Sequence, residues 1–275
     1  MEPALGVYQA FGVPFHVRCE RPEMARAVDH VYREMICSSG HAPRVTIEIR
    51  GPSPTGEHDL VFDGEPVLRS RRAGDIIHEI DNQLSIHIET ARPDLYFVHG
   101  GVLALDGKAI LLPGESGAGK STLTYALASA GLEYLSDELA GIEPGTGLVH
   151  PYPRAICLKR EPPAPLGIPE SGCLRTEWTL HVAARSLSAT IAAGPSPLGW
   201  VFFIRYVPSQ KAPAIRPLSV GEAALRLYQN ALNQLAHPEC GLDSTLDFVR
   251  EARCYELLSA GIEDTVRMVL DPPEG

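Results

Sequence analysis

The chain has 275 residues, of which 44% are hydrophobic and 21% charged, and this composition excludes a disulfide-stapled miniprotein and a mostly disordered chain. Twenty-four lysines and arginines against 34 aspartates and glutamates give a formal net charge of −10, so the overall field repels nucleic-acid backbones and anionic lipid. The six cysteines form no CxxC pair, which disfavours a zinc knuckle or a redox motif. We therefore expect a folded protein with reduced thiols and no nucleic-acid partner.

Neither targeting nor membrane insertion is indicated by the sequence. The amino terminus carries no basic cluster and no long apolar run, so it predicts no signal or transit peptide. No stretch reaches the ~18 consecutive apolar residues of a membrane span. These features predict a cytoplasmic protein without a membrane partner.

In the first third of the chain, strand and helix patterns alternate. Period-two apolar positions indicate strands, and a helical stripe at Ile77, Ile80, Leu84 and Ile88 must pack on a sheet. The Asp63-Gly64 pair is a hairpin-type turn signal. The predicted elements are, in chain order, a strand at 13–19, a helix around residues 25–35, strands at 44–50, 60–62 and 67–69, and a helix at 75–91.

The remainder of the chain again mixes strands and helices. Asp106-Gly107 predicts a second hairpin, and Gly131 is a left-handed helix stop. The predicted elements are strands at 96–105 and 109–112, a helix at 121–130, strands at 133–135, 178–184 and 200–207, helices at 220–235 and 246–258, and a last strand at 265–270. The class is therefore α/β (mixed α+β), with a small N-terminal α/β region at 1–93 and a second domain at 94–275.

A phosphate-binding loop is predicted between the strand at 109–112 and the helix at 121–130. The segment matches GxxxxGK[ST] in the strand–loop–helix context that the motif requires. Its glycines allow backbone N–H groups to converge on a β-phosphate, Lys120 reaches the β- and γ-phosphates, and Ser121 offers a hydroxyl to Mg²⁺. The predicted nucleotide-binding residues are Gly114, Glu115, Ser116, Gly117, Ala118, Gly119, Lys120, Ser121 and Thr122.

Two acidic residues and a histidine are further candidates. Asp137 lies 17 residues after Lys120, and a strand that returns after the loop's helix would carry Asp137 and Glu138 to the γ-phosphate side. The alternative is a pair of solvated acids at a strand end. His99 lies on the strand two elements before the loop, where a satisfied core histidine is the commoner role.

These three motifs, taken together, resemble the catalytic domain of the HPr kinase/phosphorylase family and, more loosely, PEP carboxykinase. The resemblance covers about residues 96–159 and rests on His99-Gly100, the loop at 114–121 and Ser136-Asp137-Glu138. It implies a P-loop domain of that type and an ATP- and Mg²⁺-dependent serine kinase. By resemblance, Asp137 takes the hydroxyl proton, His99 lies near the transferring phosphoryl group, and Ser121, Glu138 and Asp137 hold the metal.

The departures from the family pattern limit what the resemblance implies. The family's later Glu-Ile-Arg-Gly segment, associated with phosphorolysis, is not found in this sequence, so the sequence does not support the reverse reaction. Shorter, divergent relatives of this family include kinases that phosphorylate peptide tails, and this resemblance suggests a peptide or small protein as acceptor. The resemblance also allows a homo-oligomer, because the family often assembles into rings.

Phosphoryl transfer also needs cations around the transferring group. The basic residues considered for this role are Arg154, Lys159, Arg160 and Arg205, for each of which a solvated surface charge is the favoured interpretation.

Three other functions remain open from the sequence. The same site chemistry would serve a kinase that acts on a small molecule. Asp137-Glu138 could also be a Walker-B-like pair in an ATPase or switch that acts with a protein partner. Carboxyl chemistry of the PEP carboxykinase type would need a second metal with lysine and histidine ligands, for which the sequence offers few candidates.

Overall fold

Strands and helices interleave along the described part of the chain, which comprises residues 4–37, 42–207 and 209–272 of a computed structural model. The strands in these residues form three sheets, accompanied by six α-helices, and this confirms the predicted α/β (mixed α+β) class. The outermost residues of both predicted domains lie outside the described ranges. None of the helices within these ranges is long and apolar enough to cross a bilayer.

The N-terminal region is a five-stranded sheet covered by two helices. Its strands lie in chain order across the sheet, and only β2 and β3 pair in parallel. The elements are β1 (Ala4–Ala10), β2 (Val13–Cys19), α1 (Pro22–Tyr32), β3 (Val45–Arg50), β4 (His58–Phe62), β5 (Glu65–Ser70) and α2 (Ala73–Ala91). All the elements predicted here are confirmed, with β1 added.

The second half of the chain forms the larger sheet, a small sheet and four helices. Its elements are β6 (Tyr96–Leu105), β7 (Lys108–Pro113), α3 (Lys120–Ser129), β8 (Glu133–Ser136), β9 (Leu139–Ile142), β10 (Leu148–His150), β11 (Ile156–Leu158), β12 (Cys173–Arg175), β13 (Leu180–Val182), β14 (Ser196–Tyr206), β15 (Ala214–Pro217), α4 (Val220–Gln229), α5 (Leu242–Glu251), β16 (Arg253–Ser259) and α6 (Ile262–Leu270).

The larger sheet has the order β10-β9-β6-β7-β14-β16-β15, with β8 also paired to β6. Strands β7, β14 and β16 run parallel, so their carboxyl ends lie at one edge. Ligands of open α/β sheets bind at that edge. The loop after β7 begins at this edge. Strands β11, β13 and β12 form a separate three-stranded sheet.

The two sheets share an apolar core. The stripe of α2 is buried together with Phe15, Ile47 and Leu60 of the first sheet, as its periodicity predicts. Phe97 and Tyr152 from the second half of the chain belong to the same cluster. Phe11 stacks on Tyr152 and meets Phe97 edge to face.

Two predictions near the carboxyl terminus are wrong. The predicted helix at 246–258 splits into α5 and β16, because Cys254, Tyr255 and Leu257 are buried where β16 pairs with β14 and β15. The predicted last strand at 265–270 is helix α6. Its β-branched residues favour a strand locally, but Val269 packs into the core on a helical face and acidic residues begin the helix.

The other differences are in element length. The predicted helix at 220–235 begins at the Ser219–Glu222 capping box but ends at Gln229. Beyond it the chain pairs with β6, where the Leu232 N–H donates to the Phe97 carbonyl, and this pairing replaces helical hydrogen bonds. The predicted strand at 178–184 is shortened to β13. Strands β9, β10, β11, β12 and β15, each of only three or four residues, were not predicted.

Candidate active site

The predicted phosphate-binding loop, called the phosphate loop below, joins β7 to α3, which confirms its predicted strand–loop–helix arrangement. Gly117 and Gly119 have φ values of +88° and +98°, a region that residues with a Cβ rarely adopt. Gly119 is the left-handed N-cap of α3, so the first N–H groups of the helix open toward the loop. At Gly114 a Cβ would lie 3.2 Å from the Ile204 carbonyl oxygen. The loop therefore has the backbone that an anion-binding turn requires.

Lys120 folds back over this loop. Its Nζ donates to the carbonyls of Gly114, at 2.7 Å, and Glu115, at 3.1 Å. Burial lowers the pKa of Lys120, whereas the charges of Glu138 and Asp137 raise it. The ammonium group thus lies beside the two acidic residues, at the position expected for a group that contacts phosphate oxygens.

Asp137 is buried directly after β8, with a relative exposure of 1%, which excludes the alternative of a solvated acid. Its Oδ2 accepts a hydrogen bond from the Cys157 N–H at 2.9 Å, and its Oδ1 has no hydrogen-bond partner among the described residues. Burial, followed by the charge of Glu138, raises the pKa of Asp137 to about 7, against the lowering effects of Cys157, Arg154 and the nearby Ser121 hydroxyl. A carboxyl group of this pKa can accept a proton near neutral pH.

His99 and Glu138 form the next layer of the site. The Nδ1 of His99 lies 3.3 Å from Glu138 Oε1 and 3.2 Å from the Glu138 carbonyl oxygen. Desolvation lowers the pKa of His99, Glu138 raises it, and Lys120 lowers it. The fold therefore brings together all three predicted catalytic residues, His99, Lys120 and Asp137, with the predicted metal ligands Ser121 and Glu138.

Arg154 corrects the favoured interpretation of the basic candidates as surface charges. It is buried, with a relative exposure of 3%, and its Nη2 pairs with Asp81 Oδ2 at 2.8 Å. Its Nη1 lies 3.9 Å from Glu138 Oε2. Tyr32 donates to the other oxygen of Asp81, so α1 and α2 together hold this arginine against the site.

The other three basic candidates are exposed, as predicted, but one contacts the loop. Lys159 Nζ donates to Ser116 Oγ at 2.9 Å, and its charge contributes to the lowered pKa of both Lys120 and His99. Arg160 and Arg205 have exposed side chains. We call residues 154–159, which include Arg154, Cys157 and Lys159, the β11 segment.

Sequence reasoning missed Asp81 and the Cys157 N–H. Asp81 lies in the apolar stripe of α2, between Ile77 and Leu84 at helical spacing. An acidic residue on a buried helix face requires a partner. The position of Asp81 within the apolar stripe could therefore have predicted a buried ion pair. The Cys157 N–H left no such signal, because a backbone contact depends on the path of the chain.

The donor set near the loop fits Mg²⁺. Two carboxylates, of Asp137 and Glu138, and the Ser121 hydroxyl lie together, and the buried Asp137 Oδ1 without a partner is an acceptor that an ion or its water would satisfy. Within the described ranges no cluster of three or more His, Cys, Asp or Glu residues could hold a metal by itself. Mg²⁺ usually takes its remaining ligands from water and phosphate, so a small protein donor set suffices.

Comparison with known proteins leaves the family undecided. No protein-family model matches the chain, and no curated protein does. Among solved structures, the chain is similar to the Hpr(Ser) kinase/phosphatase from Coxiella burnetii, with 13% identity and a TM-score of 0.32 over 63% of this chain and 92% of that chain. A similarity at this TM-score carries no inference, so membership of the HPr kinase/phosphorylase family stays a prediction.

Proposed function

We propose that this protein is a kinase that transfers the γ-phosphoryl group of ATP to a hydroxyl, the acceptor being a serine of a peptide or small protein. The observation that carries the proposal is the buried carboxylate of Asp137 beside the phosphate loop, whose Oδ1 has no hydrogen-bond partner within the part of the chain that the structure describes. A phosphate cradle alone would equally suit a switch or an ATPase. A base with a pKa of about 7 next to it suits the activation of a hydroxyl.

The loop, Lys120 and Asp137 have separate roles in the proposed reaction. The N–H groups of the loop and of the first turn of α3 bind the β-phosphate, and Lys120 binds oxygens of the β- and γ-phosphates. The acceptor oxygen forms a bond to the γ-phosphorus while the bond from that phosphorus to the β,γ-bridging oxygen breaks and ADP leaves. The hydroxyl proton passes to the carboxylate of Asp137.

Glu138 and His99 would support this transfer. Ser121, Asp137 and Glu138 would hold Mg²⁺, which supplies positive charge to the phosphate oxygens when bound. Arg154 lies 3.9 Å from Glu138 and holds its carboxylate in place from the buried side. His99 lies 3.3 Å from the same carboxylate and would lie near the transferring group.

The test is transfer of label from γ-labelled ATP, with Mg²⁺, to a serine peptide library. Loss of a general base typically costs ~10²–10⁴-fold in rate, so Asp137→Asn should lose at least about 100-fold. Asp106→Asn is the matched control, because Asp106 is exposed in the turn at the opposite end of β7 and asparagine tolerates its φ of +50°.

Each outcome separates the proposed function from its alternatives. Equal transfer by both variants would remove Asp137 as the base. Label that appears only in a metabolite pool would assign a small-molecule kinase. Rapid phosphate release without acceptor, stimulated by a partner protein, would assign an ATPase.

A further inference from the structure

The β11 segment crosses the candidate site at three points. The side chain of Arg154 pairs with Asp81, the N–H of Cys157 donates to Asp137, and the Nζ of Lys159 donates to Ser116. Ile156 and Leu158, which alternate with Cys157 and Lys159 along the chain, are buried in the core. Because side chains alternate along a strand, this burial directs Cys157 and Lys159 to the opposite side, toward the site.

Ser116 marks the part of the loop that Lys159 reaches. It is the third residue of the GxxxxGK[ST] match and is exposed, four residues before Lys120. Both ammonium groups therefore lie against one short loop, Lys120 on its carbonyls and Lys159 on a serine hydroxyl. The hydroxyl is neutral, so this contact leaves the charge of Lys159 uncompensated. Two cations on one loop repel each other unless an anion lies between them.

We propose that Lys159 is a second phosphate-binding cation. When ATP binds, its ammonium group releases the Ser116 hydroxyl and contacts the γ-phosphate oxygens. This inference rests on the proposed function. The γ-phosphate is then held from two sides, by Lys120 from the loop and by Lys159 from the β11 segment. As the transferring group loses its bond to ADP, the ammonium of Lys159 stabilises the charge on its equatorial oxygens, which makes Lys159 a catalytic residue.

The experiment compares the binding of Mg-ATP and Mg-ADP by calorimetry, because only ATP carries the γ-phosphate. A hydrogen bond to a charged group is worth about 1.5–3 kcal/mol, so Lys159→Met should weaken ATP binding about 10- to 100-fold. ADP binding should change less than about twofold, because ADP lacks the contacted oxygens. Lys159→Arg keeps a cation and should retain most of the preference for ATP.

Arg160→Met is the matched control, because it removes the same charge from the adjacent exposed position. An unchanged ATP preference in Lys159→Met, or an equal loss with both nucleotides, would overturn the role of Lys159 and leave the proposed function intact. An equal loss of preference in Arg160→Met would show a general charge effect and would also overturn it. Failure of the unaltered protein to bind either nucleotide would overturn the proposed function, and this inference with it.

Discussion

The two sides of the candidate site are built in different ways. The phosphate loop is one contiguous segment whose conformation depends on glycines at positive φ and on the start of α3. The opposite side consists of the β11 segment, anchored by Asp81 from α2 and, through it, by Tyr32 from α1. One side thus depends on local backbone geometry, and the other on buried contacts between distant parts of the chain. Substitutions in the loop should therefore affect binding and transfer, whereas substitutions at the buried anchor of the β11 segment, Arg154 and Asp81, should affect stability.

The largest effect on stability is expected at Arg154. Arg154→Met leaves the buried carboxylate of Asp81 without its cation, and breaking a buried pair typically costs about 3–5 kcal/mol in free energy of unfolding. The measurement is urea unfolding, with the exposed Arg160→Met as control.

Adding Asp81→Asn to Arg154→Met removes the orphaned charge and should recover part of this loss. An Arg154→Met variant that is stable but lacks phosphoryl transfer would contradict this contrast between the two sides. Arg154 would then act in the chemistry rather than in the support of the site.

A large effect on activity, but not on stability, is expected at Lys120. Lys120→Met removes the ammonium from the loop and should slow phosphoryl transfer about 10²–10³-fold, while the methionine occupies the space of the lysine stem. The free energy of unfolding should change by less than about 1 kcal/mol. Lys108→Met, at the exposed start of β7, is the control for both assays. A variant that loses both properties together would show that the loop is not independent of the core.

A smaller, pH-dependent effect is expected at His181 of β13, the strand next to β11. Burial lowers the pKa of His181 to about 3, against about 6.5 in an unfolded chain, so below about pH 6.5 the unfolded state binds a proton that the native state does not. This group therefore removes stability as the pH falls, by about 2 kcal/mol between pH 7 and pH 5.

His181→Leu abolishes this titration, so the difference in unfolding free energy between the variant and the unaltered protein should shift by that amount between the two pH values. A pH-independent difference would show that His181 titrates alike in the folded and unfolded protein, and that the sheet beside the β11 segment is more open to water than its burial indicates.

The contrast between the two sides also explains what the sequence could predict. The loop, its flanking strand and helix, and the position of Asp137 follow from local patterns, and the structure bears out each of these elements. The stripe of α2 was predicted on the same basis, but the acid within it was not interpreted. Arg154 was weighed as a surface charge, because nothing near it in the sequence shows that Asp81 will meet it.

The failures near the carboxyl terminus have a related cause. Strand β16 and helix α6 have local patterns that suit either structure, and their positions beside β14 and the core decide between them. The short strand β11 lay below the length at which periodicity is informative, although it carries the second side of the site. Long-range pairing, which a single sequence does not display, therefore determined the parts that were missed.

The ion pair between Asp81 and Arg154 has a consequence for how this protein can be divided. A fragment that starts after α2 would retain the whole GxxxxGK[ST] segment and yet leave Arg154 without Asp81, next to newly exposed aromatic rings of Phe97 and Tyr152. Truncation at the boundary that the sequence suggests would therefore disrupt the candidate site on the side opposite the loop. The N-terminal region is thus a structural part of the candidate site. A transfer of the motif to another scaffold would have to include helix α2, which supplies Asp81.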